Sequence, residues 1–153
     1  MRNLAVVVLL ACSPLLTQAA DAPAAPDWIE QSRQLAQQLG AELKGELSRA
    51  ISEGGPAAAV AVCKTRAPEI AAGLSAKSGA VVGRTALRVR NPANAPDDLQ
   101  RALLEQFSAE LASGQFAGPL EAAFEINRGG LVERRYMRAI PMDAMCLTCH
   151  GAV

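Results

Sequence analysis

The chain has 153 residues with 15 basic and 15 acidic side chains, and half of its residues are hydrophobic. This length favours one domain, and this hydrophobic share excludes an intrinsically disordered chain. A formal net charge of zero argues against a nucleic-acid binder, which needs an excess of basic side chains. The single histidine, His150, excludes any metal or haem site built from several histidines. Aromatic residues are only 3% of the chain, which leaves room in the core for another flat apolar group.

The N-terminal residues 1–20 have the pattern of a secretory signal peptide. Arg2 gives the charged start, and the apolar run Leu4–Ala11 is well short of the roughly 20 residues that a membrane-spanning helix needs. Cys12 ends a Leu-Leu-Ala-Cys sequence that resembles a lipoprotein cleavage site, so a lipid anchor at Cys12 is an alternative. Because the apolar run continues past Cys12, we favour a signal that is removed and a protein released into the periplasm.

A loose Ala/Pro-rich lead-in is expected over residues 21–26, followed by a single domain over residues 27–153. Asp27 is a good N-cap, and Glu30 three residues later completes the pattern of a helix start. An apolar residue then recurs at every fourth position, which predicts a helix with one core-facing stripe. The stripe consists of Leu35, Leu39, Leu43, Leu47 and Ile51.

Two short helices and a strand are predicted to follow this first helix. Gly54-Gly55-Pro56 ends the first helix, and helical segments are predicted at Ala57–Lys64 and from Pro68 to about Ala76. Apolar residues and arginines alternate over Val81–Arg90, which predicts a half-buried strand.

The second half of the chain predicts a turn, a helix and a hairpin. Asn91–Pro96 contains two prolines and is typical of a rigid turn, after which Asp97 caps a third helix. Strand patterns at Ala122–Ile126 and Leu131–Ile140 flank the loop Asn127–Gly130, which predicts a β-hairpin. The order of elements predicts an α+β domain with an antiparallel sheet. The inward-facing residues predicted for the third helix are Leu99, Leu103, Phe107 and Leu111.

The segment Cys146-Leu147-Thr148-Cys149-His150 has the C-x-x-C-H pattern of c-type haem attachment. Two thiols at this spacing can form thioethers with the two vinyl groups of haem, and the adjacent histidine is then held beneath the iron as a ligand. Secretion agrees with this interpretation, because bacterial c-type haem is attached outside the cytoplasm. The sequence therefore predicts one covalently attached haem c, bound through Cys146, Cys149 and His150.

Other roles for the two motif cysteines are less well supported. A thioredoxin-like motif needs a helix after its first cysteine, and the few residues after His150 do not lead us to expect one. A structural zinc site needs four ligands, yet the sequence has neither a second C-x-x-C pair nor a second histidine. A disulfide between Cys146 and Cys149 remains the plain alternative.

Cys63 is left without a partner once the other cysteines are assigned, although the predicted compartment is oxidising. Its plain interpretation is a small buried apolar residue. The alternative is that its sulfur is the second axial ligand of the haem iron, since the chain has no second histidine. Met137, Met142 and Met145 are the other candidates, and the last two lie too close to the motif to reach the far face of the haem easily.

Six short sequence blocks between about Trp28 and Gly151 are specific in combination. They are Val62-Cys63, Ala67-Pro68-Glu69-Ile70-Ala71, Gly83-Arg84-Thr85, Arg90-Asn91-Pro92-Ala93-Asn94-Ala95-Pro96-Asp97, Tyr136-Met137-Arg138-Ala139-Ile140-Pro141 and Cys146-Leu147-Thr148-Cys149-His150-Gly151. With these blocks the chain resembles a family of single-haem c-type proteins with a PAS-like α+β fold, long catalogued as a domain of unknown function. Some members stand alone in the periplasm, and others form the extracytoplasmic sensing part of signalling proteins such as histidine kinases.

The resemblance implies that the iron is bound by His150 and, on its opposite face, by Cys63. It also implies a PAS-like antiparallel sheet flanked by helices, with the covalent haem c at the C-terminus. Arg84 and Arg90 lie in the family blocks, and arginine is suited to pairing with a haem propionate; solvated strand faces are the plain alternative. Tyr136 either borders the haem or fills the core.

Together these features predict redox or gas sensing, or specialised electron transfer, and no enzymatic activity. A thiolate ligand favours ferric iron, so His/Cys ligation predicts a low reduction potential, and Cys63 is expected to leave the iron on reduction. The expected partner is a redox protein or a small diatomic ligand; neither nucleic acid nor a membrane-spanning segment is expected. The alternative is a four-helix-bundle cytochrome c with an open gas-binding haem site, which the predicted strands disfavour.

Overall fold

A computed structural model describes residues 27–115, 118–140 and 142–151 of the chain. The signal peptide predicted at residues 1–20, Cys12 within it, and the lead-in predicted at 21–26 lie outside the described residues. None of the described helices is long and apolar enough to cross a membrane. The elements in chain order are helix α1 (Trp28–Ala61), a π-helical turn (Val62–Arg66), α2 (Ala67–Ser78), a 3₁₀ turn (Pro92–Asn94), α3 (Asp98–Ser113), strands β1 (Glu121–Arg128) and β2 (Leu131–Arg138), and α4 (Ala144–His150).

The helical run from Trp28 to Ser78 covers 51 residues and is interrupted at Gly55. Gly55 has φ 71° and ψ −172°, a backbone region that is essentially restricted to glycine, and Pro56 suits the first turn of the helix that follows. The predicted end of the first helix at Gly54-Gly55-Pro56 is therefore confirmed. The two short helices predicted next are in fact one run, because the π-helical turn continues the helical path between them.

The apolar core lies between the two helical arms on either side of Gly55. Leu39 contacts the middle of α2, whereas Leu43, one turn later in α1, contacts the π-helical turn and the start of α2. The contacts therefore run in opposite directions along the two arms, which are antiparallel. Two leucines of the predicted stripe are thereby buried, and burying each contributes about 1.5–3 kcal/mol. The contacting sets are Leu39 with Ile70 and Leu74, and Leu43 with Val62 and Ala67.

The strand predicted over Val81–Arg90 is wrong, because this segment pairs with no other described strand. Side-chain hydrogen bonds hold it instead: the Val82 amide donates to Ser75 Oγ at 2.9 Å, and Thr85 Oγ1 donates to the Asn94 carbonyl at 3.0 Å. Val81 is fully exposed, so the alternation that suggested a half-buried strand does not correspond to a buried face.

The turn and the third helix appear where the sequence predicts them. The Asn91 side chain accepts a hydrogen bond from the Ala93 amide at 3.1 Å at the start of the 3₁₀ turn. Asp97 and Gln100 form a reciprocal capping box at the start of α3, and Arg135 of β2 pairs with Asp97. Of the four residues predicted to face inward, Phe107 is 5% exposed and Leu103 is half-buried, whereas Leu99 and Leu111 are about 40% exposed.

The predicted hairpin is confirmed as the antiparallel pair β1 and β2. Gly129 and Gly130 both have positive φ in the loop, and the Gly130 amide donates to Asn127 Oδ1 at 3.0 Å. The α+β class is thus confirmed, with a sheet of two strands among the described residues. The order of elements differs from the predicted one, because the strand at Val81–Arg90 is missing and α4 is additional.

Replacing Gly55 by alanine is expected to lower the free energy of unfolding by about 1–3 kcal/mol, because alanine would have to adopt a backbone conformation that only glycine adopts readily. Gly45 is the matched control: it lies exposed inside α1 with open space where a Cβ would stand, so Gly45→Ala should raise stability by about 0.5–1 kcal/mol. Chemical denaturation of both variants measures the two effects. A Gly55→Ala protein as stable as the wild type would contradict this account of the interruption.

Candidate functional site

The C-x-x-C-H motif lies on the short helix α4. Cys146, Cys149 and His150 stand at positions i, i+3 and i+4, and this spacing places them on one helix face. The helix begins two residues before Cys146, so the expectation that no helix would accompany the motif is wrong. Lys44 of α1 pairs with Asp143 at 2.5 Å and holds the N-terminal end of α4.

That face of α4 borders a cavity of about 640 Å³, within the range of about 300–1,000 Å³ that is typical of cofactor and ligand sites. Five segments line it: the two arms of the helical hairpin, the π-helical turn, the turn around Pro92 and α4. Most lining side chains are apolar. The lining residues that come before α4 in the chain are Leu47, Ile51, Ala59, Val60, Cys63, Lys64, Pro68, Arg90, Asn91, Pro92 and Asn94. Those on α4 are Met145, Cys146, Cys149 and His150.

Cys63 reaches this cavity from the π-helical turn. The turn is closed by a hydrogen bond from the Ala67 amide to the Val62 carbonyl, one residue wider than in an α-helix. Pro68 follows directly; it has no amide hydrogen and its ring crowds the carbonyl four residues back, which accounts for the widening here. Val62 is buried in the core while the neighbouring Cys63 is half-buried and lines the cavity with a free thiol.

Arg90 joins the C-terminal end of α4 to the segment before the 3₁₀ turn. Its Nη2 donates to the Cys149 carbonyl at 3.2 Å, and its Nη1 lies 3.4 Å from His150 Nε2. Burial, together with the positive charges of Arg90 and Arg84, lowers the pKa of His150 below its ordinary value. Arg84 is therefore electrostatically close to the motif, although it does not itself line the cavity.

Tyr136 lies in a different environment from the other proposed site residues. Its hydroxyl donates to Glu121 at 2.7 Å, and Arg33 of α1 pairs with the same carboxylate at 2.6 Å. Burial and the bond to Glu121 raise the pKa of Tyr136 to about 12, and Arg33 holds the pKa of Glu121 below its ordinary value. Tyr136 does not line the cavity; its contacts tie the hairpin to the start of α1.

The methionines also differ in whether they line the cavity. Met145 lines the cavity beside the motif, whereas Met137 on β2 does not, and Met142 is 39% exposed outside it. Of the alternative sulfur ligands considered from the sequence, the structure brings Met145 into the cavity with Cys63.

Lys64, Asn91 and Asn94 are cavity residues that the sequence did not single out. Lys64 directly follows Cys63, and the two asparagines lie in the same sequence block as Arg90. This proximity to predicted site residues was the signal in the sequence that could have identified them. Lys64 and Arg90 are cationic, no acidic side chain is among the described lining residues, and neither cation forms an ion pair with a described acidic group. The cavity is thus suited to a largely apolar ligand that carries carboxylates.

The donor set fits a haem better than a zinc ion. Among the residues that the structure describes, no three histidine, cysteine or acidic side chains are arranged to hold one metal ion. Cys146 and Cys149 carry free thiols rather than a disulfide. Two free thiols and an imidazole on one helix face, beside an apolar cavity of cofactor size, match the requirements of thioether attachment and iron ligation.

Neither a curated protein nor a solved structure matches the chain significantly. One family model does, and it matches residues 19–153, which include every described residue that lines the cavity. The chain therefore belongs to the Tll0287-like family.

Proposed function

We propose that the protein is a periplasmic c-type cytochrome whose cavity holds one covalently attached haem. The observation that carries this proposal is the convergence of Cys146, Cys149 and His150 with Cys63 on a single cavity of about 640 Å³. If the C-x-x-C-H motif had arisen by chance, there would be no reason to find a cofactor-sized apolar cavity beside the helix face that presents all three side chains.

Cys146 and Cys149 would form the thioethers, His150 Nε2 would bind the iron, and Cys63 is the proposed second axial ligand. A haem held in this way supplies a one-electron redox centre whose potential a thiolate ligand lowers relative to His/Met ligation. Lys64 and Arg90 provide the cavity with positive charge for the haem carboxylates, and Arg84 adds to the positive potential near His150.

The proposed role is redox or gas sensing, or specialised electron transfer, rather than enzyme catalysis. The bond between iron and a thiolate weakens when the iron gains an electron, because the anionic ligand is best matched by ferric iron. Cys63 is therefore the ligand that we expect to leave on reduction and to vacate a position for a small diatomic molecule. A redox protein or such a molecule is the proposed partner.

The alternative of a four-helix-bundle cytochrome agrees less well with the fold. The hairpin of β1 and β2 is a sheet, which an all-helical bundle lacks, and it is tied to α1 through Arg33 and Glu121. A PAS-like arrangement, the finer fold assignment, is supported by the α+β class and by the antiparallel hairpin. This arrangement is compatible with a sensing module and with a stand-alone electron carrier.

We expect the protein, when produced in a periplasm with haem-attachment enzymes, to carry one haem that survives denaturing electrophoresis. Cys146→Ala and Cys149→Ala should each abolish one thioether, which shifts the pyridine haemochrome band and makes the haem easier to extract. Cys63→Ala is the matched control, because it removes a cavity thiol without removing an attachment point and should retain covalent haem. Wild-type protein without denaturation-resistant haem would overturn the proposed function.

A second measurement tests the axial ligand. Ferric wild-type protein should give a low-spin EPR spectrum with thiolate character, and Cys63→Ala should convert it to a high-spin or differently ligated form. Met145→Leu removes the competing sulfur in the same cavity while keeping its apolar volume, so its ferric spectrum should match the wild type. If Met145→Leu changes the spectrum and Cys63→Ala does not, the sixth ligand is Met145 instead.

A further inference from the structure

Helix α4 is held at both ends by cationic side chains from other elements. Lys44 of α1 pairs with Asp143 at the N-terminal end, and Arg90 contacts Cys149 and His150 at the C-terminal end. With only the seven residues Ala144–His150, the helix has too few internal hydrogen bonds to be stable by itself. Its placement beside the cavity therefore depends on such external contacts.

The bond from Arg90 to the Cys149 carbonyl satisfies a group that the helix itself leaves free. The last four carbonyls of any helix have no partner within it, and a positive charge there also interacts favourably with the helix dipole. Arg90 thus acts as a side-chain cap at the end of α4 where His150 lies.

The second contact of Arg90 determines which imidazole nitrogen is unprotonated. A guanidinium has only donors, so in the hydrogen-bonded pair at 3.4 Å the His150 Nε2 must be the acceptor and the proton of the neutral ring must be on Nδ1. A histidine binds iron through a nitrogen that carries a lone pair rather than a proton. The tautomer that accepts from Arg90 is therefore the tautomer that is ready to bind iron through Nε2.

The side chain of Arg90 is exposed, but hydrogen bonds fix the backbone of the segment that carries it. The next residue, Asn91, caps the 3₁₀ turn, and Thr85 bonds the Asn94 carbonyl at 3.0 Å on the other side. Arg90 itself forms no ion pair with a described acidic side chain that would compete for its guanidinium.

We propose that Arg90 is a positioning residue for His150: it caps the end of α4 and, in the haem-free chain, holds the imidazole in the tautomer that leaves Nε2 available to the iron. This inference rests on the proposed haem site. The two contacts use different nitrogens of Arg90, so the release of His150 Nε2 by Nη1 would not require the loss of the bond from Nη2 to the Cys149 carbonyl.

The single histidine makes a direct test possible, because every imidazole signal in the spectrum belongs to His150. The full haem-free chain, labelled with ¹⁵N and kept reduced, is examined by long-range ¹H–¹⁵N NMR at about pH 8, where a histidine is neutral. Wild type should show the Nδ1–H tautomer in excess. In Arg90→Leu the ratio of Nδ1–H to Nε2–H should fall by about threefold or more, the effect of losing one hydrogen bond of ordinary net strength.

Two variants separate positioning from general loosening of the helix. Arg88→Leu removes an exposed arginine of the same segment that contacts neither α4 nor the cavity, and it should leave the tautomer ratio unchanged. Lys44→Leu releases the opposite end of α4 without touching the imidazole, and it should change the ratio by less than half as much as Arg90→Leu. An equal shift in Lys44→Leu overturns the proposal, since loss of helix docking would then account for it.

If Arg90→Leu fails to fold, the wild-type spectrum alone still tests the proposal. An excess of the Nε2–H tautomer in the wild type overturns it. The haem content of periplasmic protein is measured in parallel. Unchanged tautomer ratios with normal covalent haem refute the role of Arg90 and leave the proposed function standing. The expected tautomer shift without covalent haem supports the role of Arg90 and refutes the proposed function.

Discussion

The interruption at Gly55 is the constraint on which the rest of the structure depends. As one straight helix, the 51 residues from Trp28 to Ser78 would extend about 75 Å, and their apolar stripe would have nothing to pack against. The positive φ of Gly55 turns the second arm back along the first, which buries Leu39 and Leu43. The same turn brings Cys63 on the returning arm to the cavity that α4 closes from its other side.

The π-helical turn solves a second geometric problem on the returning arm. The arm has to present apolar side chains to α1 and a thiol to the cavity, and the two requirements fall on the adjacent residues Val62 and Cys63. Widening the helix by one residue changes the direction of the side chains that follow, so Ala67 returns to the core directly after the turn. Pro68 makes the widened form the favourable one, because a regular α-helix would crowd its ring.

The sequence was informative where a local rule governs the backbone and uninformative where tertiary contacts do. The end of the first helical arm at Gly55, the cap at Asp97 and the hairpin loop before Leu131 each follow from residue chemistry within a few positions, and all were predicted. The segment Val81–Arg90 has the alternation of a strand but no partner among the described strands, and hydrogen bonds from the Val82 amide to Ser75 Oγ and from Thr85 Oγ1 to the Asn94 carbonyl hold it instead. Likewise α4 is stabilised by Lys44 and Arg90, which no local pattern around the motif reveals.

The two walls of the cavity are held by forces of different strength. The arm that carries Cys63 is fixed by buried apolar contacts, with Ala67 and Ala59 almost fully enclosed, whereas α4 is held largely by exposed polar contacts from Lys44 and Arg90. Exposed ion pairs contribute little to stability, while buried apolar contacts contribute most of it. For a site whose proposed work is to respond to redox state, the rigid side is therefore the one with Cys63, and the adaptable side is the helix to which the haem would be covalently attached.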